Sequence, residues 1–263
     1  MRVWLAFSLL CLAAISHAQT LTLYTYHEAE PFINEGQVGL SQHFVEHFNA
    51  LNKNGLQLRL QPIQRPALNR KIAANDGVLL LWANALWFKK LNDQVTVSDV
   101  LFWDSDMLVS LAEKPLEYTG PQSLSGKTFT APAGHVYYEL DDLITAGKIK
   151  RISMPDYFSM LAELLSGKAD AMMLTHSTLL FWQKNRPDVP PLYSSKQHYD
   201  EYSRHILATP PMAGYLPEIN RVIAAMRHDQ AWQQLLEQYG IFTLLDPFNL
   251  DIQELQKVQQ SNL

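Results

Sequence analysis

Cysteine is nearly missing from this sequence. The single one, Cys11, lies inside an apolar run at the N-terminus. Once that run is removed, neither disulfides nor thiol chemistry remain, and burial of a core must hold the chain alone. Long apolar runs are scarce as well. Beyond the first eighteen residues no stretch approaches the roughly 18 to 20 apolar residues a membrane-spanning helix needs. A basic excess is also lacking: without Arg2 the 21 basic residues become 20, against 26 acidic ones. That balance argues against nucleic acid or an anionic membrane as the main partner. There is no internal repeat, no low-complexity tract, no Gly-x-Ser-x-Gly elbow, no phosphate loop and no dinucleotide-binding glycine run.

The N-terminus has the three parts of an export signal. Met1-Arg2 is a positive start, Val3 to Ile15 is apolar apart from Ser8, and Ser16-His17-Ala18 offers small residues for cleavage. Cleavage near Ala18 is expected. An uncleaved anchor is the alternative. Acylation at Cys11 is disfavoured, because bulky Leu10 precedes it and the apolar stretch runs past it. About 245 residues remain, enough for one large or two medium domains.

Past Ala18, short β-rich runs alternate with amphipathic helical runs, the pattern of an α/β fold with mostly parallel sheets. Thr20 to Tyr26 and Leu56 to Gln61 alternate as strands, and Val78 to Trp82 is a continuous apolar run as in a strand covered on both faces. Leu40 to Leu51 places Leu40, Phe44, Phe48 and Leu51 on one helical face. Gln64 to Ala74 reads as a helix with Pro66 in its first turn. The clearest unit lies further on. Asp156 is an N-cap, Met160, Leu161, Leu164 and Leu165 follow at helical spacing, Gly167 stops the helix, and Ala169 to Leu174 is the next strand. Tyr202 to Ala208 is strand-like. Leu216 to Gln260 is nearly all helical pattern, punctuated by Gly240 and Pro247.

Parallel α/β sheets bind ligands at the carboxyl ends of their strands. Here those ends present Tyr26 and Glu28, then Trp82 and Asn84, then His135 and Tyr137, then Thr175. Aromatic walls with a few hydrogen-bonding groups suit a small-molecule pocket. Arg65, at the start of its helix, is the cation placed to fork a carboxylate, with a surface position as the alternative. Trp82 and Trp87 are equally candidates for the core. His43-Phe44-Val45-Glu46-His47 matches an inverted zinc-protease motif, but no companion signature supplies a third ligand, so no metal or cofactor is expected.

Several segments in order also carry a resemblance. These are Tyr26-His27-Glu28-Ala29-Glu30-Pro31-Phe32, Gly39-Leu40, Pro66-Ala67-Leu68, Val97-Ser98-Asp99, Leu124-Ser125-Gly126-Lys127, Ala133-Gly134, and Leu164-Leu165-Ser166-Gly167-Lys168-Ala169-Asp170-Ala171. Together they resemble the bacterial extracellular solute-binding proteins of family 3, which bind amino acids and related polar solutes.

The resemblance implies a two-lobe, type II periplasmic-binding-protein-like fold with two chain crossings. Lobe 1 would comprise residues 19–109 and 205–263, lobe 2 residues 110–204, with crossings near Ser110 and Arg204 and hinge closure on ligand. It further implies a monomeric periplasmic protein that passes a solute to an inner-membrane transporter, such as an ABC transporter, or to a sensor. The family's amino-acid binders clamp the ligand with an arginine, a threonine and an aspartate. At the corresponding places this sequence has Leu86-Trp87-Phe88-Lys89-Lys90, His135 and Thr175. The usual α-amino-acid clamp is therefore expected to be absent. A few proteins of this fold are dehydratases, so a periplasmic lyase in which Glu28 and His135 act as an acid/base pair is the competing expectation.

Overall fold

The computed structural model describes residues 19–33, 38–53 and 55–245. The expected export signal with Cys11, and the tail from residue 246, lie outside them.

Three parallel strands begin the chain's first lobe: β1 (Thr20–Thr25), β2 (Gln57–Pro62) and β3 (Leu79–Ala83), separated by helices α1 (Leu40–Leu51) and α2 (Arg65–Ala73). Every residue of β3 is buried. Its side chains divide between two clusters: Leu79, Leu81 and Trp82 join Phe44 and Phe48, while Leu80 and Ala83 join Leu68 and Phe88. That two-sided burial is why β3 is apolar without a break. Helix α1 has the predicted bounds and buries Leu40, Phe44 and Phe48; Leu51, assigned to the same face, is exposed at the helix end.

After the short strand β4 (Thr96–Val97), the long strand β5 (Phe102–Leu111) enters the second lobe. There β6 (Thr128–Pro132), β7 (Lys150–Met154) and β8 (Ala171–Thr175) are parallel, with helices α3 (Tyr138–Thr145), α4 (Tyr157–Leu165) and α5 (His176–Asn185) between and after them. The start of α4 is set by Asp156, whose Oδ1 accepts from the Ser159 N–H at 2.7 Å. A small strand, β9 (Leu192–Ser194), pairs with the far end of β5.

The strand β10 (Asp200–Ala208) ties the lobes together. Its first half lies antiparallel to β5, and its second half lies antiparallel to β3 and β4. The resulting strand order is β2-β1-β3-β10-β5-β8-β6-β7. The two crossing strands, β5 and β10, sit between two parallel sheets whose carboxyl ends border a common cleft.

The chain closes with α6 (Leu216–His228) and α7 (Gln230–Gln238). The helical pattern read from Leu216 onward is thus interrupted at Asp229, whose carboxylate caps α7 by accepting from the Trp232 N–H at 2.9 Å. Periodicity alone passed over this break, because an aspartate on the polar face leaves the apolar spacing intact. Pro247 and the remainder of that pattern fall outside the described residues.

Gly240 ends α7 for a clear reason. Its φ is 77°, the Ile241 N–H reaches the Leu236 carbonyl at 3.0 Å, and the Gly240 N–H reaches Glu237. This is the left-handed closure glycine favours. A Cβ here would also stand 2.9 Å from the Leu180 carbonyl oxygen of α5. Gly240→Ala is expected to cost about 1–3 kcal/mol. Gly126, with the same φ but open space around it, is the control. Thermal unfolding should show the larger loss at Gly240, and equal losses would mean that the contact with α5 is immaterial.

Candidate functional site

The crossing strands build the floor of the cleft. On a strand, residues two apart share a face, and directly opposed residues of a neighbouring strand point the same way. Tyr202 is registered with Asp104, Asp200 with Asp106, and Arg204 with Phe102. Asp104, Asp106, Asp200, Tyr202 and Arg204 therefore share one face of a two-strand ribbon.

Arg204 and Asp104 form the centre of that face. They are 1% and 0% exposed, with Nε 2.7 Å from Oδ2. Arg204 also donates to the Trp82 carbonyl at 3.0 Å and to the Tyr202 hydroxyl at 3.3 Å. Asp104 accepts from the Ser177 N–H at 2.9 Å and from its hydroxyl at 2.8 Å. The pair is thus fully engaged within the protein. Trp82 adopts φ 62°, in the left-handed region, and its carbonyl is one of the acceptors that Arg204 needs.

Asp106 is different. It accepts from the Tyr202 hydroxyl at 3.0 Å, and the Nε2 of His135 stands 3.6 Å away. Burial first, then the neighbouring charge of Asp104, push its pKa up to about 6. His135 sits across the cleft at the end of β6, with its side chain 46% exposed and its ring 4.5 Å from that of Tyr137. Loss of hydration on the protein-facing side, then the charges of Arg151 and Arg65, lower its pKa to about 4.

Arg65 comes from the first turn of α2. Its guanidinium lies 4.7 Å from the centre of the Tyr26 ring and 4.3 Å from that of Phe88. Its Nε donates to the Asn69 side chain at 2.9 Å. Among the described residues no carboxylate lies within ion-pair distance of it. Stacking on rings fixes the group while leaving its charge free.

The other expected site residues divide clearly. Tyr26 stacks against Arg65, and His135 of the second lobe feels the Arg65 charge. Tyr137 is 2% exposed in the second lobe's core, with its ring against that of His135. Thr175 caps α5 and is bonded to the Tyr157 hydroxyl. Glu28 is exposed at the rim and accepts from the Gln64 side chain at 2.8 Å. Asn84 caps a short turn by accepting from the Leu86 N–H and donates to the Ser203 carbonyl. The Trp82 indole is fully buried among Phe32, Phe44 and Phe102, and its Nε1 donates to Ser41 at 2.9 Å. The aromatic edge near the cleft comes instead from Trp87, 5.0 Å from the Tyr202 ring. His47 of the zinc-like motif pairs with Asp229 at 2.7 Å, and His43 faces Glu46 at 3.6 Å.

Sequence reading did not single out Asp104, Asp106, Arg151, Tyr157, Tyr202 and Arg204, and it took His27 as a surface or structural histidine. A signal existed for four of them. Asp104-Ser105-Asp106 and Tyr202-Ser203-Arg204 interrupt otherwise apolar strands at a spacing of two, the mark of a polar ribbon face.

Two opposed effects set the pH dependence of stability. Asp106, at about 6, and Asp200, raised to about 7 chiefly by burial, hold protons that an unfolded carboxylate releases above about 4. Alone, they make the folded state lose stability as pH rises through that window. His27, His135, His176 and His205 are all lowered, each mainly by burial. In the unfolded chain they take up protons below about 6.5, which the folded state does not. Four histidines outweigh two carboxylates, so the unfolded chain binds more protons between about 5 and 6. The melting temperature is expected to fall from pH 7 to pH 5.5, with a shallower slope for His27→Gln. A rise on acidification would contradict this balance.

No protein-family model and no curated protein matches this chain. Solved structures do. The GluR0 ligand-binding core from Nostoc punctiforme in complex with L-glutamate is 17% identical, with TM-score 0.64 over 84% of this chain and 99% of that one. An ancestral arginine-binding protein bound to arginine is 17% identical, with TM-score 0.62 over 84% and 97%. The ancestral amino acid-binding protein AncCDT-1, a precursor of cyclohexadienyl dehydratase, is 15% identical, with TM-score 0.61 over 84% and 95%. This chain has the two-lobe, type II periplasmic-binding fold. The strands β5 and β10 lie between its two parallel sheets and pair with each other there.

Proposed function

We propose that this chain is an exported, periplasmic solute-binding protein that captures a small polar or aromatic-containing solute between its lobes. One observation carries the reading. Arg65 is held between two rings, has no carboxylate within ion-pair distance among the described residues, and its charge is felt by His135 of the other lobe. A fixed, uncompensated cation in a cleft is a recognition group for an anion. Neighbours of the same fold described as bound to glutamate and to arginine support solute capture. Delivery to a membrane transporter or a sensor is the corresponding role, and the protein acts as a monomer. The same reading takes the usual α-amino-acid clamp as absent, since His135 and Thr175 stand at two of the positions the resemblance assigns to it and the third region ends in exposed Lys89 and Lys90.

A thermal-shift screen over amino acids, carboxylic acids, polyamines and short peptides tests this. The right solute raises the melting temperature by mass action. Arg65→Gln is expected to weaken it tenfold or more, about 1.4 kcal/mol. An unchanged affinity would remove Arg65 from the site.

A second reading, a lyase on the same scaffold, draws on the approach of His135 to Asp106 and on the neighbour described as a dehydratase precursor. It requires consumption of the solute, lost in Asp106→Asn and in His135→Ala. An intact solute recovered after long incubation with the protein excludes it.

A further inference from the structure

A second guanidinium, in the other lobe, also bears on His135. Arg151 projects from β7, and its NH2 donates to the Pro132 carbonyl at 2.9 Å, at the carboxyl end of β6. Its guanidinium carbon lies 5.4 Å from the centre of the Tyr137 ring. Its Nε is buried and has no hydrogen-bond partner. Like Arg65, it has no carboxylate within ion-pair distance among the described residues. A half-buried arginine with an orphaned donor is costly unless something completes it. In a chain of net charge −5, pairing with an acidic side chain was readily available.

The acidic groups nearby do not fill this role. Asp104 is committed to Arg204 and Ser177. Asp106 accepts from Tyr202 and stands 3.6 Å from His135, and neither it nor Asp200 lies within ion-pair distance of either arginine. His135 feels the charges of both arginines and stays neutral. Two arginines, one per lobe and each stacked on a tyrosine, are thus left without a carboxylate within ion-pair distance among the described residues.

We infer that the cleft binds a solute with two anionic groups, a dicarboxylate, with Arg65 of one lobe holding one carboxylate and Arg151 of the other holding the second. This rests on the cleft being the solute site, and it says more: the ligand itself bridges the lobes. A monoanion satisfies one guanidinium and leaves the other unpaired, whereas a dianion satisfies both. The arginine forks suit planar carboxylates, which can accept two parallel N–H bonds.

Isothermal titration with succinate and glutarate, set against butyrate, inorganic phosphate, L-arginine and putrescine, tests the inference. One of the two dicarboxylates is expected to bind at least tenfold more tightly than any comparator. Arg65→Gln and Arg151→Gln should each reduce that affinity at least tenfold, while Arg→Lys at either position retains part of it. Unchanged melting temperatures of the ligand-free variants will show that folding is intact. If either variant unfolds, its lysine counterpart replaces it in the comparison. Butyrate binding as tightly as the dicarboxylates, or no loss in the Arg151 variants, overturns the dianion assignment. Phosphate binding best overturns the bridged geometry. If L-arginine or putrescine binds best, the ligand class is wrong but solute capture stands. If no solute in the wider thermal screen binds, solute capture itself fails.

Discussion

Arg204→Met is expected to destabilise the protein by about 3–5 kcal/mol, the usual result of removing one partner from a buried ion pair. The cause is less the loss of attraction than the charge left behind. Asp104 is wholly buried, and without the guanidinium it must either stay ionised in the interior or take up a proton. The Trp82 carbonyl and the Tyr202 hydroxyl lose a donor at the same time. Because β5 and β10 are the crossing strands, the damage falls where the lobes join. Urea unfolding would measure the loss. The double variant Arg204→Met, Asp104→Leu should recover a good part of it, since an apolar pair removes the stranded charge. A single variant as stable as the parent would mean that the pair contributes nothing net.

Trp82→Ala should cost a similar amount, about 3–5 kcal/mol, but by another route. The indole fills the space between Phe32, Phe44 and Phe102, so truncation opens a cavity and orphans the Ser41 hydroxyl. Trp82→Phe should keep most of the packing and lose chiefly the hydrogen bond, about 1 kcal/mol. Solute affinity is the discriminating readout. Trp82→Phe is expected to bind the solute as the parent does, because the indole lies in the first lobe's core rather than in the cleft. A large loss of affinity in a folded Trp82→Phe would return this residue to the pocket. Arg65 supplies the opposite pattern, with a large effect on binding and a small one on stability.

Between these two sites lies a division of labour along the crossing strands. Charges that hold the molecule together are paired and dry, as in Arg204–Asp104. Charges proposed to meet a solute are half-buried, stacked on rings and without a carboxylate at ion-pair distance among the described residues, as in Arg65 and Arg151. The same residue type serves both ends, and its partners decide which.

Local chemistry was enough to place much of this architecture from the sequence. The bounds of α1 followed from its apolar spacing, the start of α4 from Asp156, the end of α7 from Gly240, and the buried strand β3 from five apolar residues in a row. Those signals are local because capping, glycine backbone freedom and face periodicity depend on residues only a few positions apart. The strand ends carrying Tyr26, His135 and Thr175 were legible for the same reason. What the tertiary structure alone decided is which groups are left uncompensated. Asp104 finds Arg204 a hundred positions away, and Arg65 and Arg151 come from opposite lobes. Charge pairing depends on distance in space, and nothing along the chain records which carboxylates come near a given arginine.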